Sequence, residues 1–143
     1  MKKSTFLKAF GLLTLLFVFA ACNKYEEGSN FSLISAKGRL ANNWTASSSS
    51  YEENGNSTTN TGFSEVVVTF TKEGSYTYAG KIIGIPFNET GSWAFNSDKT
   101  TVIMTETGTG DVETWTLIKL KNKELKVSTA WNNGTLTFEF TGE

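Results

Sequence analysis

Cys22 is the residue whose type and setting predict a chemical event. It is the only cysteine in the 143 residues. It closes the run Phe19-Ala20-Ala21-Cys22 behind an uncharged apolar stretch, Ala9 to Phe19, which Lys2, Lys3 and Lys8 precede. That is the layout of a bacterial lipoprotein signal peptide. The expected chemistry is a thioether between the Cys22 sulfur and diacylglycerol, a cut after Ala21 where two small residues suit the peptidase, and acylation of the new amine. A retained membrane helix fits less well, because the apolar part falls short of the roughly 20 residues that cross a bilayer. Two or three acyl chains, at about 0.8 kcal/mol per buried methylene, hold a protein to a membrane permanently. Residues 1–21 therefore read as a signal peptide, and residues 22–30 as the lipidated cysteine and a polar tether.

Other chemistry is thin. The chain has no histidine, which removes the commonest general base, metal ligand and pH switch together. Glu52-Glu53, and Asp111 with Glu113, have the residue types of a glycosidase couple, but neighbouring acids of this kind read as solvated faces. Serines and threonines are abundant without a histidine or lysine placed to activate them. No phosphate loop or metal-ligand spacing occurs. The expectation is a non-enzyme with no cofactor and no metal. Loss of Lys2, Lys3 and Lys8 takes the basic residues from 13 to 10 against 14 acids, a formal charge of −4, which argues against nucleic acid as a partner.

Aromatic residues offer binding chemistry instead. Tyr76, Tyr78, Trp93, Phe95, Trp115, Phe138 and Phe140 could line a cup for a small apolar ligand, or form the core of a small domain. Trp131, beside Asn132 and Asn133, could be a platform for a sugar ring, or a side chain packed on the end of the fold. Ile82-Ile83-Gly84-Ile85-Pro86-Phe87 is apolar at consecutive positions. It reads either as a flap or partner contact made by Ile83, Ile85 and Phe87, or as strand residues on either side of a bulge.

Those residues need elements to position them, and the pattern after Phe63 is that of short strands. Val66, Val68 and Phe70 share one face at a period of two within Ser64 to Thr71. Strands are also expected at Ser75 to Lys81, Gly91 to Asn96, Thr100 to Glu106, Val112 to Leu120, Glu124 to Thr129 and Thr135 to Thr141, with a first one around Asn43 to Tyr51. Lys72-Glu73-Gly74, Asn96 to Lys99, Gly108-Thr109-Gly110, Lys121 to Lys123 and Asn133-Gly134 mark the turns. Only Phe31 to Leu40 leaves room for a helical turn. Ser47 to Gly62, rich in Ser, Asn, Thr and Gly, reads as a long hairpin arm or a disordered loop. The fold class is all-β: an antiparallel meander of about eight strands over residues 31–143, closing into a small barrel to hide its edges, with a two-sheet sandwich as runner-up. About 120 mature residues suffice for one domain.

Gly74-Ser75-Tyr76, Gly91-Ser92-Trp93-Ala94-Phe95, Asp98-Lys99-Thr100-Thr101-Val102, Trp115 to Leu120 and Lys123-Glu124-Leu125 stand in the order of the motifs of the lipocalin-like domain family of Bacteroidota lipoproteins. The chain resembles that family over roughly Phe63 to Leu125, with Trp44 as the tryptophan of the first strand. Asn42 departs from the pattern, because the family has a glycine two residues before that tryptophan. The resemblance implies an eight-stranded lipocalin-like barrel and, by analogy, a small apolar ligand on Tyr76, Tyr78, Trp93, Trp115 and Phe138. Lys24-Tyr25-Glu26-Glu27 resembles the export signal that sends such lipoproteins to the outer face of the outer membrane, although it also suits an ordinary linker. The combined expectation is an outer-membrane lipoprotein, surface-facing or periplasmic, that binds a small apolar or carbohydrate ligand. The alternative is a ligand-free module docked on another envelope protein through Ile82 to Phe87 or Ser47 to Gly62.

Overall fold

The computed structural model describes residues 33–143. The expected signal peptide, the expected lipidation site Cys22 and the expected tether lie outside the described residues. A short helix α1 (Ala36–Leu40) precedes nine strands: β1 (Asn43–Glu53), β2 (Asn56–Thr58), β3 (Phe63–Phe70), β4 (Ser75–Ile82), β5 (Ile85–Phe95), β6 (Thr101–Glu106), β7 (Val112–Leu120), β8 (Glu124–Trp131) and β9 (Gly134–Gly142). Each strand from β3 onward pairs antiparallel with the next, and β1 pairs with both β3 and β9. Eight strands thus close into a barrel, and closure removes the free edges that a sandwich would leave. β2 is extra, lying only on the outer end of β1.

Local chemistry explains the connections. Ser35 caps α1, its hydroxyl accepting from the Gly38 amide at 3.0 Å. The Asn96 side-chain oxygen accepts from the amides of Thr100 and Thr101, at 2.9 and 3.0 Å, and so holds the β5–β6 turn. Asn54 and Gly55, at φ 51° and 78°, make a two-residue type I′ turn between β1 and β2. Ser47 to Gly62 is therefore an ordered hairpin arm. Ile83 and Gly84, at φ 51° and 77°, form a second turn of this type between β4 and β5. Strand β5 accordingly begins at Ile85, well before Gly91, and no bulge occupies the segment. At the last hairpin the turn residues are Asn132 and Asn133, with Trp131 opposite Gly134. That is one residue earlier than the Asn-Gly signal suggests, and Gly134 instead opens β9.

Inward residues follow the period of two: Val66, Val68 and Phe70 on β3, Tyr76 and Tyr78 on β4, Trp115 and Leu117 on β7, Leu136, Phe138 and Phe140 on β9, all buried. Fully burying a large apolar side chain is worth about 1.5–3 kcal/mol, so this one cluster carries the domain without a disulfide. Three glycines let large rings lie across the wall. A Cβ on Gly142 would stand 2.8 Å from the Trp44 ring, one on Gly91 2.8 Å from Tyr76, and one on Gly134 2.8 Å from Tyr51. Each ring occupies space that a side chain on the glycine would need, so the neighbouring backbone can approach closely there.

The two ends differ. At one, α1 plugs the barrel: Leu40 and Arg39 are buried, and the Trp44 indole donates to the Leu40 carbonyl at 2.8 Å. The β3–β4, β5–β6 and β7–β8 turns lie at this end. The turns after β1, β4, β6 and β8 lie at the opposite end, the mouth. Below the mouth, β1 and β3 pair only over Asn43–Thr45 and Val67–Thr69 and then part. A cleft of about 200 Å³ opens between Ser47–Ser49 and Phe63–Val66, with Phe138 among its lining residues.

Candidate binding site at the barrel mouth

The ring set expected from sequence is gathered inside the barrel. Trp115 is fully buried and meets Tyr78 at 5.4 Å, Phe140 at 5.8 Å, Phe70 at 6.1 Å and Phe138 at 6.5 Å between ring centroids. Trp93 packs edge-on to Phe70 at 5.5 Å and Phe95 at 5.3 Å, and its indole donates to the Thr71 carbonyl. Tyr76, Tyr78, Trp93, Trp115 and Phe138 are all buried. These rings fill the barrel from the α1 end upward, in the mostly edge-to-face arrangement that ring quadrupoles favour.

Accessible aromatic surface is found higher, where Phe63 joins the interior to the rim. Its ring lies 5.3 Å from Phe138, 5.4 Å from Trp131 and 6.3 Å from Phe87. Trp131 is 39% exposed. Together with Phe63, Tyr51, Asn60, Thr61 and Asn132 it lines a cleft of about 170 Å³. An exposed indole beside amide and hydroxyl groups can stack on one face of a ring and hydrogen-bond to its edge. Trp131 stands out in the sequence, whereas Phe63 and Tyr51 do not, because the cleft exists only where the β1–β2 arm folds over the last hairpin.

The other side of the mouth is acidic. Glu89 on β5, Glu106 on β6 and Glu113 on β7 occupy inward positions and are half-buried. Glu89 accepts a short hydrogen bond from the Tyr76 hydroxyl. Glu113 accepts one at 2.7 Å from the Trp115 indole. Burial lifts the Glu113 carboxyl above the usual carboxylate range, against the opposing effect of the Trp115 bond and with a smaller push from Glu89. Burial likewise raises both tyrosines, more for Tyr78 than for Tyr76. Asp111, the other half of the acid pair seen in sequence, is exposed in the turn before β7. Glu52 and Glu53 are adjacent on one strand and so point to opposite faces. Among the described residues no group of three or more His, Cys, Asp or Glu side chains is placed to hold a metal ion.

Ile83 and Ile85 project at the same end, 82% and 71% exposed, while Phe87 turns inward against Tyr78 at 4.9 Å. A β-branched residue at positive φ is strained by about 1–3 kcal/mol, and Ile83 recovers little of that by burial. Ile83→Asn, which installs the Asn-Gly pair that type I′ turns prefer, is expected to raise the urea-unfolding free energy by about 1 kcal/mol. An unchanged or lowered midpoint would mean that the isoleucine packs more firmly than its exposure indicates.

The molecule belongs to the class of small closed antiparallel β-barrels, with eight strands in the wall and one added at the rim. Among solved structures it is similar to a de novo designed fluorescence-activating β-barrel, at a TM-score of 0.53 and 14% identity, covering 78% of this chain and all of that one. A redesigned β-barrel matches at a TM-score of 0.51 and 17% identity, covering 79% and 99%. At such identities the likeness is one of fold. No protein-family model and no curated protein matches the chain.

Proposed function

We propose that this protein is a non-enzymatic, lipid-anchored envelope protein of the lipocalin-like kind, binding a small apolar or carbohydrate-like ligand at the mouth of its barrel. The observation that carries the reading is the Trp131–Phe63 cleft, where a half-exposed indole, amides and a hydroxyl converge on a volume of about 170 Å³. The rings deeper in the barrel serve as its floor. Anchoring follows from the Cys22 motif, and would hold the α1 end toward the membrane with the mouth away from it. The outer membrane is the proposed address, with the acidic residues after Cys22 favouring its outer face.

Native mass spectrometry of the full chain, released from a nonionic detergent after incubation with an envelope lipid and metabolite extract, tests this reading. A discrete retained mass is expected, lost in Trp131→Ala while the fold persists. A retained mass that survives Trp131→Ala would move the site elsewhere, and bare protein in both samples would count against ligand binding. A second reading, docking on another envelope protein, draws on Ile83 and Ile85, which stand exposed at the same end. Crosslinking in intact cells that depends on both isoleucines would favour it.

A further inference from the structure

We propose that the α1 end of the barrel is a docking surface for a bilayer rich in anionic phospholipid, so that the anchored protein stands on the headgroups with its mouth directed away. This rests on the reading of Cys22 as the lipid anchor and names the surface that the barrel meets beneath it.

Charge is sorted along the barrel axis. The connections at the α1 end carry Lys72, Lys99, Lys121 and Lys123, and α1 itself adds Lys37 and Arg39. The connections at the mouth carry no lysine or arginine, and Glu53, Glu106 and Asp111 stand in or beside them. Lys37, Lys72, Lys99 and Lys123 are exposed, and none makes an ion pair among the described residues. Acids at the α1 end are fewer and mostly engaged. Glu124 is shared by Lys119 and Lys121 at 3.3 and 3.8 Å, Asp98 accepts from the Thr100 hydroxyl, and Glu143 accepts from the Asn43 side-chain amide. Glu73 remains, beside Lys72. A protein of net negative charge is repelled as a whole by an anionic surface, so only a sorted distribution lets one end approach, and it fixes which end.

Arg39 supplies an independent observation. It is only 6% exposed, its Nε has no hydrogen-bond partner, and no acid pairs with it among the described residues. A guanidinium stays charged when buried, and an unpaired buried charge is costly. Negative charge laid against this end lowers that cost. The chain arrives at the same end. Leu33 and Ile34, 100% and 45% exposed, stand just before α1 and put apolar side chains beside Lys37, the combination that interfacial segments use. Leu33 follows Cys22 by eleven residues, a reach of at most about 40 Å even at full extension. At the effective concentration that so short a tether imposes, weak attraction suffices to hold the end down.

The test reconstitutes the full chain into preformed vesicles of phosphatidylcholine, alone or with about one third phosphatidylglycerol. Amine acetylation by a neutral reagent, read lysine by lysine by mass spectrometry, is the readout. Lys72, Lys99 and Lys123 are expected to react about fivefold more slowly on the anionic vesicles, while Lys81 near the mouth stays within about twofold. In 1 M salt, where the screening length is about 3 Å, the difference should vanish. Lys72→Glu, Lys99→Glu and Lys123→Glu together should remove the slowing at Lys37 and Lys121. These side chains are exposed and unpaired, so the fold should persist, and an unchanged urea midpoint checks it; if the midpoint falls, the salt result decides. Equal reactivity on the two vesicles, slowing that includes Lys81 to the same degree, or slowing that survives high salt overturns the docking surface. Slowing at Lys37 and Lys121 that persists in the folded triple variant overturns it too. Absence of a diacylglycerol mass on Cys22 overturns the anchoring reading by itself, whereas the lysine pattern on vesicle-bound chain decides the docking surface.

Discussion

Urea unfolding of Trp115→Ala is expected to show a loss of about 3–5 kcal/mol, the usual range for truncating a buried tryptophan. A small domain has about 5–15 kcal/mol in all, so this one change takes the protein to the edge of unfolding. The size of the effect follows from position. Trp115 is fully buried and its ring meets those of Phe70, Tyr78, Phe138 and Phe140, which come from three other strands. Removing it opens a void bordered by rings that are themselves held by the closed wall and cannot collapse into the space. The indole also donates to Glu113, so truncation leaves a half-buried carboxylate without its donor. Trp115→Phe separates the two contributions: it keeps one ring in place, loses the hydrogen bond, and should cost about 2 kcal/mol. A loss below about 1 kcal/mol for the alanine variant would show that the barrel centre can repack, and would contradict a close-packed interior.

Gly91→Ala is expected to cost about 3 kcal/mol, the upper end of what overpacking usually costs. A Cβ there would stand 2.0 Å from the Thr105 carbonyl oxygen and 2.9 Å from its carbon. These are backbone atoms of the adjacent strand β6, so relief requires prising β5 from β6. The same Cβ would press on the Tyr76 ring at 2.8 Å, and Tyr76 holds Glu89 through its hydroxyl. The variant should therefore also disturb the acidic side of the mouth, visible as a shift of the Trp115 indole resonance through Glu113. Gly80→Ala is the comparison. Its Cβ would meet only side chains, Val66 at 3.0 Å and Phe87 at 3.1 Å, which can turn aside, so a cost of about 1 kcal/mol is expected. Equal losses for the two variants would mean that the close approach of β5 and β6 is not what Gly91 provides.

Strand positions were legible where alternation was clean. Val66, Val68 and Phe70, or Leu125 and Val127, announce a buried face because apolar residues at a period of two fall on one side of a strand and on no single side of a helix. Ile82 to Phe87 was harder. Consecutive apolar residues conceal a hairpin, and a β-branched residue is a poor candidate for the positive φ that Ile83 adopts. The β1–β2 arm was masked in the same way by composition. Asn54-Gly55 is a strong turn signal, but it sits inside a Ser/Asn/Thr-rich run that also suits disorder. The candidate site was legible only in part. Trp131 could be named for its neighbours, whereas Phe63 and Tyr51 looked like ordinary strand residues, and Glu89 and Glu113 like ordinary surface acids.

By itself the sequence determined which residues alternate, where most turns fall, the absence of imidazole chemistry and the N-terminal lipidation motif, because each is carried by residue types at short spacing. Only the tertiary structure decided that β1 closes against β9, which joins residues 44 and 142 across the chain. Closure sets which side of every strand faces inward and how high each residue sits above the α1 plug. That height separates Trp115, sealed among rings, from Trp131, open at the rim, and turns three scattered glutamates into one wall of the mouth. Such proximity depends on register between strands distant in sequence, and local patterns of residue types carry no information about it.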